Sequence, residues 1–175
     1  MHPKPSADGP GSGSSGGRAA SDADDWNAAT VEATAVRLLA RREHSRMELA
    51  QKLGARGVPA ALVDEVLESL AARRLQSDER YAESLVTSRT GRGQGPVRIR
   101  RELAQRGVAA PLIDAALEAA AADWFELARQ ARRRRFGDDP PAAWNERVRQ
   151  SRFLEYRGFS SEQIRFALGG DGDFD

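Results

Sequence analysis

Two residues of this 175-residue chain have the type that most often moves protons near neutrality, His2 and His44. They lie far apart in sequence, and neither belongs to a zinc-binding spacing. His2 falls in a Pro-, Gly- and Ser-rich stretch. His44 falls between two expected helices and reads as a solvated loop residue. Acid pairs stand at Asp24-Asp25, Asp64-Glu65 and Asp138-Asp139. Adjacent carboxylates on a helix point in different directions, so Asp64 and Glu65 read as a solvated face. Asp138 and Asp139 precede Pro140-Pro141 and read as a loop or helix start. There is no cysteine, which removes disulfides, thiolate metal sites and cysteine nucleophiles. Gly91-Arg92-Gly93-Gln94-Gly95-Pro96 is glycine-rich and runs into a helix, but it lacks the Gly-Lys-Ser/Thr ending of a phosphate-binding loop. It reads as a connector that leaves Arg89 and Arg92 beside an exposed helix start. These residues predict binding rather than catalysis, with no metal and no cofactor.

Arginine is the residue type with chemistry to offer. The net charge is only +1, yet all but Lys4 and Lys52 of the 27 basic residues are arginine. A planar, forked guanidinium suits carboxylate and phosphate. A GC-rich coding bias accounts for much of this composition, so position has to carry the argument. Between residues 89 and 106 stand six arginines (89, 92, 98, 100, 101 and 106) against one acid, Glu102. A second cluster is Arg129 with Arg132 to Arg135. Ile99 and Leu103 mark the buried face of the helix around residue 100. Arg98, Arg101 and Gln105 then form a separate, exposed stripe.

The elements that must position these arginines come from a repeat. Leu53-Gly54-Ala55-Arg56-Gly57-Val58 precedes Val63 and Leu67. Leu103-Ala104-Gln105-Arg106-Gly107-Val108 precedes Ile113 and Leu117. Leu154-Glu155-Tyr156-Arg157-Gly158-Phe159 precedes Ile164 and Leu168. A period of about 50 residues is the signature of repeat architecture. In each copy an i, i+4 apolar pair, such as Leu49 with Leu53, builds one helix face. Gly then ends the helix in a left-handed conformation, and a second helix carries the next apolar pair. The Arg before each Gly complements the helix dipole, a structural role. Aligned on the glycines, Arg149 and Arg152 fall at the places of Arg98 and Arg101, whereas the first repeat has Glu48 and Gln51 there. The second and third repeats therefore carry the basic stripe.

Start signals complete the helices. Ser45 with Glu48, and Ser160 with Gln163, have capping-box spacing. Gly95-Pro96 places Pro at a first helical position. A further helix precedes each pair: Thr30 to Arg42, a segment capped by Asp78, and Asp123 to Phe136. Ala119 to Ala122 offers no stop signal, so the last of these is expected to continue from the helix holding Leu117. No segment alternates like a strand. The expected fold is all-α, three tandem three-helix repeats in an elongated, curved array. Its expected divisions are a disordered tail (1–25), repeats at 26–75, 76–120 and 121–168, and an acidic tail (169–175). No apolar run approaches the ~20 residues of a membrane span, and no secretory signal is visible. A soluble, cytoplasmic protein is expected.

Taken together, these motifs resemble the RecX family, bacterial regulators of the RecA recombinase, over about Leu38 to Leu168. The residues that carry the resemblance are Arg42-Glu43-His44-Ser45-Arg46-Met47-Glu48-Leu49 with Leu53, and Asp78-Glu79-Arg80-Tyr81-Ala82. Gly95-Pro96 with Ile99, Glu102-Leu103 and Gly107-Val108 add to them, as do Phe153-Leu154 and Arg157-Gly158-Phe159. The resemblance implies an arc of helical repeats lying in the groove of the RecA filament on single-stranded DNA. It also implies inhibition of filament extension, strand exchange, ATP hydrolysis and coprotease activity. On that reading the expected contact residues are Arg80, Tyr81, Arg89, Arg92, Arg98 and Arg101, continued by Arg149 and Arg152. The chain is expected to act as a monomer with weak DNA affinity of its own. The competing expectation is a free-standing, sequence-nonspecific DNA-binding module.

Overall fold

The computed structural model describes residues 26–169, so the expected N-terminal tail and the acidic tail after Gly169 lie outside the described residues. Among the described residues there are nine helices and no strand. They are α1 (Ala28–Leu39), α2 (Arg46–Gly54), α3 (Ala60–Ala72), α4 (Asp78–Gly91), α5 (Pro96–Gln105), α6 (Ala110–Ala119), α7 (Trp124–Phe136), α8 (Trp144–Arg157) and α9 (Ser161–Ala167). Helix contacts concentrate within three successive triplets. Each triplet buries its own apolar cluster: Val31, Leu49, Leu53 and Leu67 in the first, Leu85, Ile99, Leu103 and Ile113 in the second, and Ala128, Leu154, Phe159 and Ile164 in the third. The template leucines sit at these centres, with Leu53, Leu103 and Leu154 fully buried.

The six-residue template is one helix cap, used three times. Gly57, Gly107 and Gly158 have φ of +84°, +77° and +87°, the region where a Cβ is strained. That conformation turns the following N–H back onto the helix. Val58 donates to the Leu53 carbonyl, Val108 to Leu103 and Phe159 to Leu154, at 3.3, 3.1 and 3.1 Å. The glycine N–H groups bond one step further in, to Gly54, Ala104 and Glu155. Carbonyls left unpaired at the helix end are thereby satisfied, and the apolar residue after Gly covers the template leucine.

Two local expectations change. Helices α6 and α7 are separate, because Ala121 takes φ 45° and Asp123 then caps α7 through the Glu126 N–H at 3.0 Å. Arg74 does the same between α3 and α4, with φ 56°. Both turns between triplets therefore use a left-handed non-glycine residue, an uncommon and strained conformation. Ser77 caps α4, not Asp78; the Asp78 carboxylate instead accepts from the Arg46 N–H and the Gln76 amide, both at 2.8 Å.

The triplets join through the template loops. The loop ending α8 abuts the start of α5, where Gly95 donates to the Arg157 carbonyl at 2.9 Å and Val97 to the Gly158 carbonyl at 3.0 Å. Pro96 between them has no N–H to place. The orphan donors of one helix start thus meet the orphan acceptors of another helix end, with the dipoles aligned head to tail. The approach leaves no room for side chains. A Cβ on Gly95 would sit 2.3 Å from the Gly158 carbonyl oxygen, and one on Gly158 would sit 2.2 Å from the Arg98 Cβ. One repeat earlier, the Gly107 loop meets α2 more loosely, with Met47 Cβ 3.0 Å from the position of an added methyl. Gly57, in the first triplet of the described residues, has nothing within 4 Å of that position.

The three glycines should therefore differ when replaced by alanine. Gly57→Ala adds only the left-handed strain, about 1–2 kcal/mol. Gly158→Ala adds the overlap with α5, a further ~1–3 kcal/mol. Urea unfolding of the two variants measures the difference, and equal losses would show that the loop contact contributes nothing.

Candidate partner-binding cleft

The joint between the first two triplets is built around Glu48. Aligned positions suggested an exposed side chain, but Glu48 is only 4% exposed because the second triplet covers it. Ser45 accepts from the Glu48 N–H as expected at 3.1 Å. The carboxylate does not return the bond. It accepts instead from Arg42 at 3.1 Å, from His44 Nδ1 at 3.1 Å and from Arg106, the template arginine of the second triplet. His44 is buried rather than solvated, at 3% exposure. Its Nδ1 must carry the hydrogen, since a carboxylate can only accept. Burial, helped by Arg42 and Lys52 and opposed by Glu43, pushes its pKa down to about 4.

Arg80 belongs to the same joint. Its Nε donates to Glu43 at 2.9 Å, and its other nitrogens donate to the Arg74 and Leu75 carbonyls at 3.0 and 3.1 Å. It is a strut that caps the end of α3, not a free cation at a contact surface. Tyr81 lies at the edge of the same joint, on the space bounded by Arg42, Glu43 and Arg89. It faces the core of the second triplet and is 4% exposed, and burial raises its hydroxyl pKa.

Between α5 and the end of α8 lies an open cleft of about 600 Å³. Arg89, Arg92, Arg98, Arg101 and Arg106 line it, with Glu102, Glu155 and Tyr156. A second cleft of about 320 Å³, on the side of the first triplet, shares Arg89, Arg92, Glu102 and Arg106. The five cations are not equivalent. Arg89 grips Glu102 with both arms at 2.8 and 2.6 Å. Those bonds hold the Glu102 carboxyl below the usual carboxylate range and push the Arg89 guanidinium up. Arg106 is committed to Glu48. Arg98 is half-buried; it donates to the Tyr156 carbonyl at 3.1 Å and lies over the Tyr156 ring at 5.2 Å. Arg92 and Arg101 are exposed and hold no ion pair among the described residues. On α8, Arg152 is likewise exposed and unpaired, whereas Arg149 pairs with Glu146 at 2.8 Å and stacks on Phe136 at 5.2 Å. Of the arginines expected at the contact surface, Arg92, Arg101 and Arg152 are uncommitted charges, while Arg89, Arg98 and Arg149 are held by protein partners.

Family models described as the first, second and third three-helix domains of RecX match residues 33–70, 77–117 and 121–168 in that order. The chain belongs to the RecX family. A relative named regulatory protein RecX from Halorhodospira halophila is 52% identical over 145 residues, covering 83% of this chain and 90% of that protein. One from Pseudomonas fluorescens is 46% identical over 142 residues, covering 81% and 92%. The crystal structure of RecX from Lactobacillus salivarius has the same fold, with a TM-score of 0.69 at 22% identity, covering 81% of this chain and 94% of that one. The RecX relatives are described as regulatory proteins, not as enzymes. Among the described residues no helix is long and apolar enough to cross a membrane.

Within this RecX fold, sequence reasoning missed two residues beside the arginines. Trp144 opens α8 and Tyr156 closes it, and each is 75% exposed. Tyr156 occupies a template position filled by Ala55 and Gln105 in the other repeats, so a large aromatic at a place that packs nothing was the available signal. The two remaining template arginines also do more than complement dipoles. Arg106 reaches Glu48, and Arg157 donates to the Arg92 carbonyl at 2.9 Å, so each fastens its triplet to the one before.

The buried histidine gives a pH test. His44 sits at about 4 when folded against 6.5 for a free imidazole, so between those values the unfolded chain binds more protons. The stability it contributes is complete above pH 6.5 and lost as pH falls towards 4. His44→Gln, which keeps a donor for Glu48, should lose less stability over that window than the parent chain. Identical losses by denaturant unfolding would remove His44 as the cause.

Proposed function

We propose that this chain is a regulator of the RecA recombinase that binds the RecA–single-stranded DNA filament and inhibits its extension, ATP hydrolysis, strand exchange and coprotease activity. Membership of a family whose members are named regulatory proteins supports a regulatory role. The observation that carries the contact surface is the pair of uncommitted cations, Arg92 and Arg101, at the mouth of a cleft whose other arginines are fixed by protein partners. Fixed cations keep the cleft's shape, and free ones attract phosphate or carboxylate. A stack of repeats also offers an extended surface able to span neighbouring protomers of a periodic filament.

The protein acts in the cytoplasm and as a monomer.

The test is Arg92→Glu with Arg101→Glu. Neither side chain holds a joint together, so helicity by circular dichroism should be unchanged while inhibition of RecA ATPase weakens at least about tenfold, the equivalent of ~1.4 kcal/mol. Full inhibition by the double variant would remove the cleft from the contact surface. The competing reading, a free-standing DNA-binding module, predicts equal affinity for naked single-stranded DNA and for the filament at physiological salt.

A further inference from the structure

The two exposed aromatics of α8 belong to none of the three apolar clusters. Trp144 and Tyr156 are separated by three helical steps of four residues, through Val148 and Arg152. Twelve residues of α-helix span about 18 Å and turn the ridge by about a third of a revolution. The two rings therefore stand at the ends of one winding edge of α8, with Val148 and Arg152 between them. At one end the edge opens into the arginine cleft, because Tyr156 lines that cleft.

Both rings are 75% exposed, but they are not equally free. The Arg98 guanidinium lies 5.2 Å from the centre of the Tyr156 ring and is anchored to the Tyr156 carbonyl. Arg98 is in turn held against Gly158 by the joint. Tyr156 is thus pre-positioned, with one face occupied and the other open to solvent. The other exposed large apolar side chains among the described residues stand at only 39–46%. Beside Tyr156 the cleft is lined by Arg92, Arg98 and Arg101 together with one exposed apolar side chain, Val97. Separated aromatic faces along a basic track are the arrangement that takes single-stranded nucleic acid. Bases stack on the rings and phosphates lie against the cations, with little dependence on sequence.

We infer that the α8 edge from Trp144 to Tyr156, continued by Arg98, Arg92 and Arg101, is a binding track for single-stranded nucleic acid, with the two rings as base-stacking platforms. The inference deepens the proposed regulatory surface and rests on that reading for the source of the strand, the DNA within a filament. It assigns the aromatics to bases, and the free arginines to the backbone that joins those bases.

The test uses the full chain without recombinase, and a labelled oligothymidylate about 12 nucleotides long, within the range of small single-strand sites. Trp144→Ala and Tyr156→Ala should each weaken binding about tenfold, while Tyr156→Phe, which keeps the stacking face, should bind like the parent chain. An abasic oligonucleotide of the same charge should bind weakly to all four proteins. Circular dichroism should show all of them folded, since both side chains project into solvent. Equal affinity of the parent chain for the abasic and the normal strand would overturn the inference, and so would undiminished binding by both alanine variants. Alanine variants that keep the oligonucleotide but lose the filament would overturn it in favour of a protein contact. Failure of the recombinase proposal is read separately, in the ATPase assay of the Arg92/Arg101 double variant.

Discussion

The arrangement depends on one contact between backbones: the left-handed glycine loop that ends α8 pressed against the start of α5. It joins unpaired carbonyls to unpaired N–H groups through Gly95 and Val97 at 2.9 and 3.0 Å. Each group would otherwise need water or a side chain. Because both surfaces are backbone, the joint has no side chain to adjust, and the atoms on either side would overlap if either glycine gained a methyl. One wall of the cleft follows from it. Arg98 is pinned between the two triplets, its guanidinium sets the Tyr156 ring, and Arg157 reaches across to the Arg92 carbonyl.

The joint between the first and second triplets solves the same problem with different chemistry. There the loop meets a flexible methionine side chain rather than backbone, and specificity passes to charge. A buried Glu48 is shared by Arg42, His44 and Arg106. A buried carboxylate is costly unless its partners are in place, so this joint is specified by side chains that have to arrive together. One seam is thus fixed by shape and the other by charge. The cleft sits beside both, since Arg92 and Arg106 line the space on each side of the Arg89–Glu102 pair.

The near-neutral net charge conceals a division of labour among the arginines. Some close inter-triplet seams, some cap helix ends, some lie on aromatic rings, and a few face solvent with no partner. Composition cannot separate these classes, because the same guanidinium serves all of them. Arg80 and Arg92 illustrate the point. Both stand near helix ends in basic stretches, yet Arg80 is occupied by Glu43 and two carbonyls while Arg92 is open.

The sequence by itself determined the helical fold, the threefold template and the places where the template helices end. Those features rest on bonds closed within about six residues and on i, i+4 apolar pairs, so all the interacting groups lie within one short window. The same locality made Ser160 with Gln163, and Gly95 with Pro96, readable as helix starts. The separation of α6 from α7 was not legible, since Ala121 has no intrinsic preference for the left-handed turn it adopts. Burial of Glu48, His44 and Tyr81 was not legible either, nor was the commitment of Arg80, Arg98 and Arg106. Their partners come from residues tens of positions away, and the alignment of repeats that made Glu48 look exposed could not show that a neighbouring loop covers it. Tertiary structure decided which arginines and aromatics remain available to a partner, because availability is what is left after every seam has taken the groups it needs.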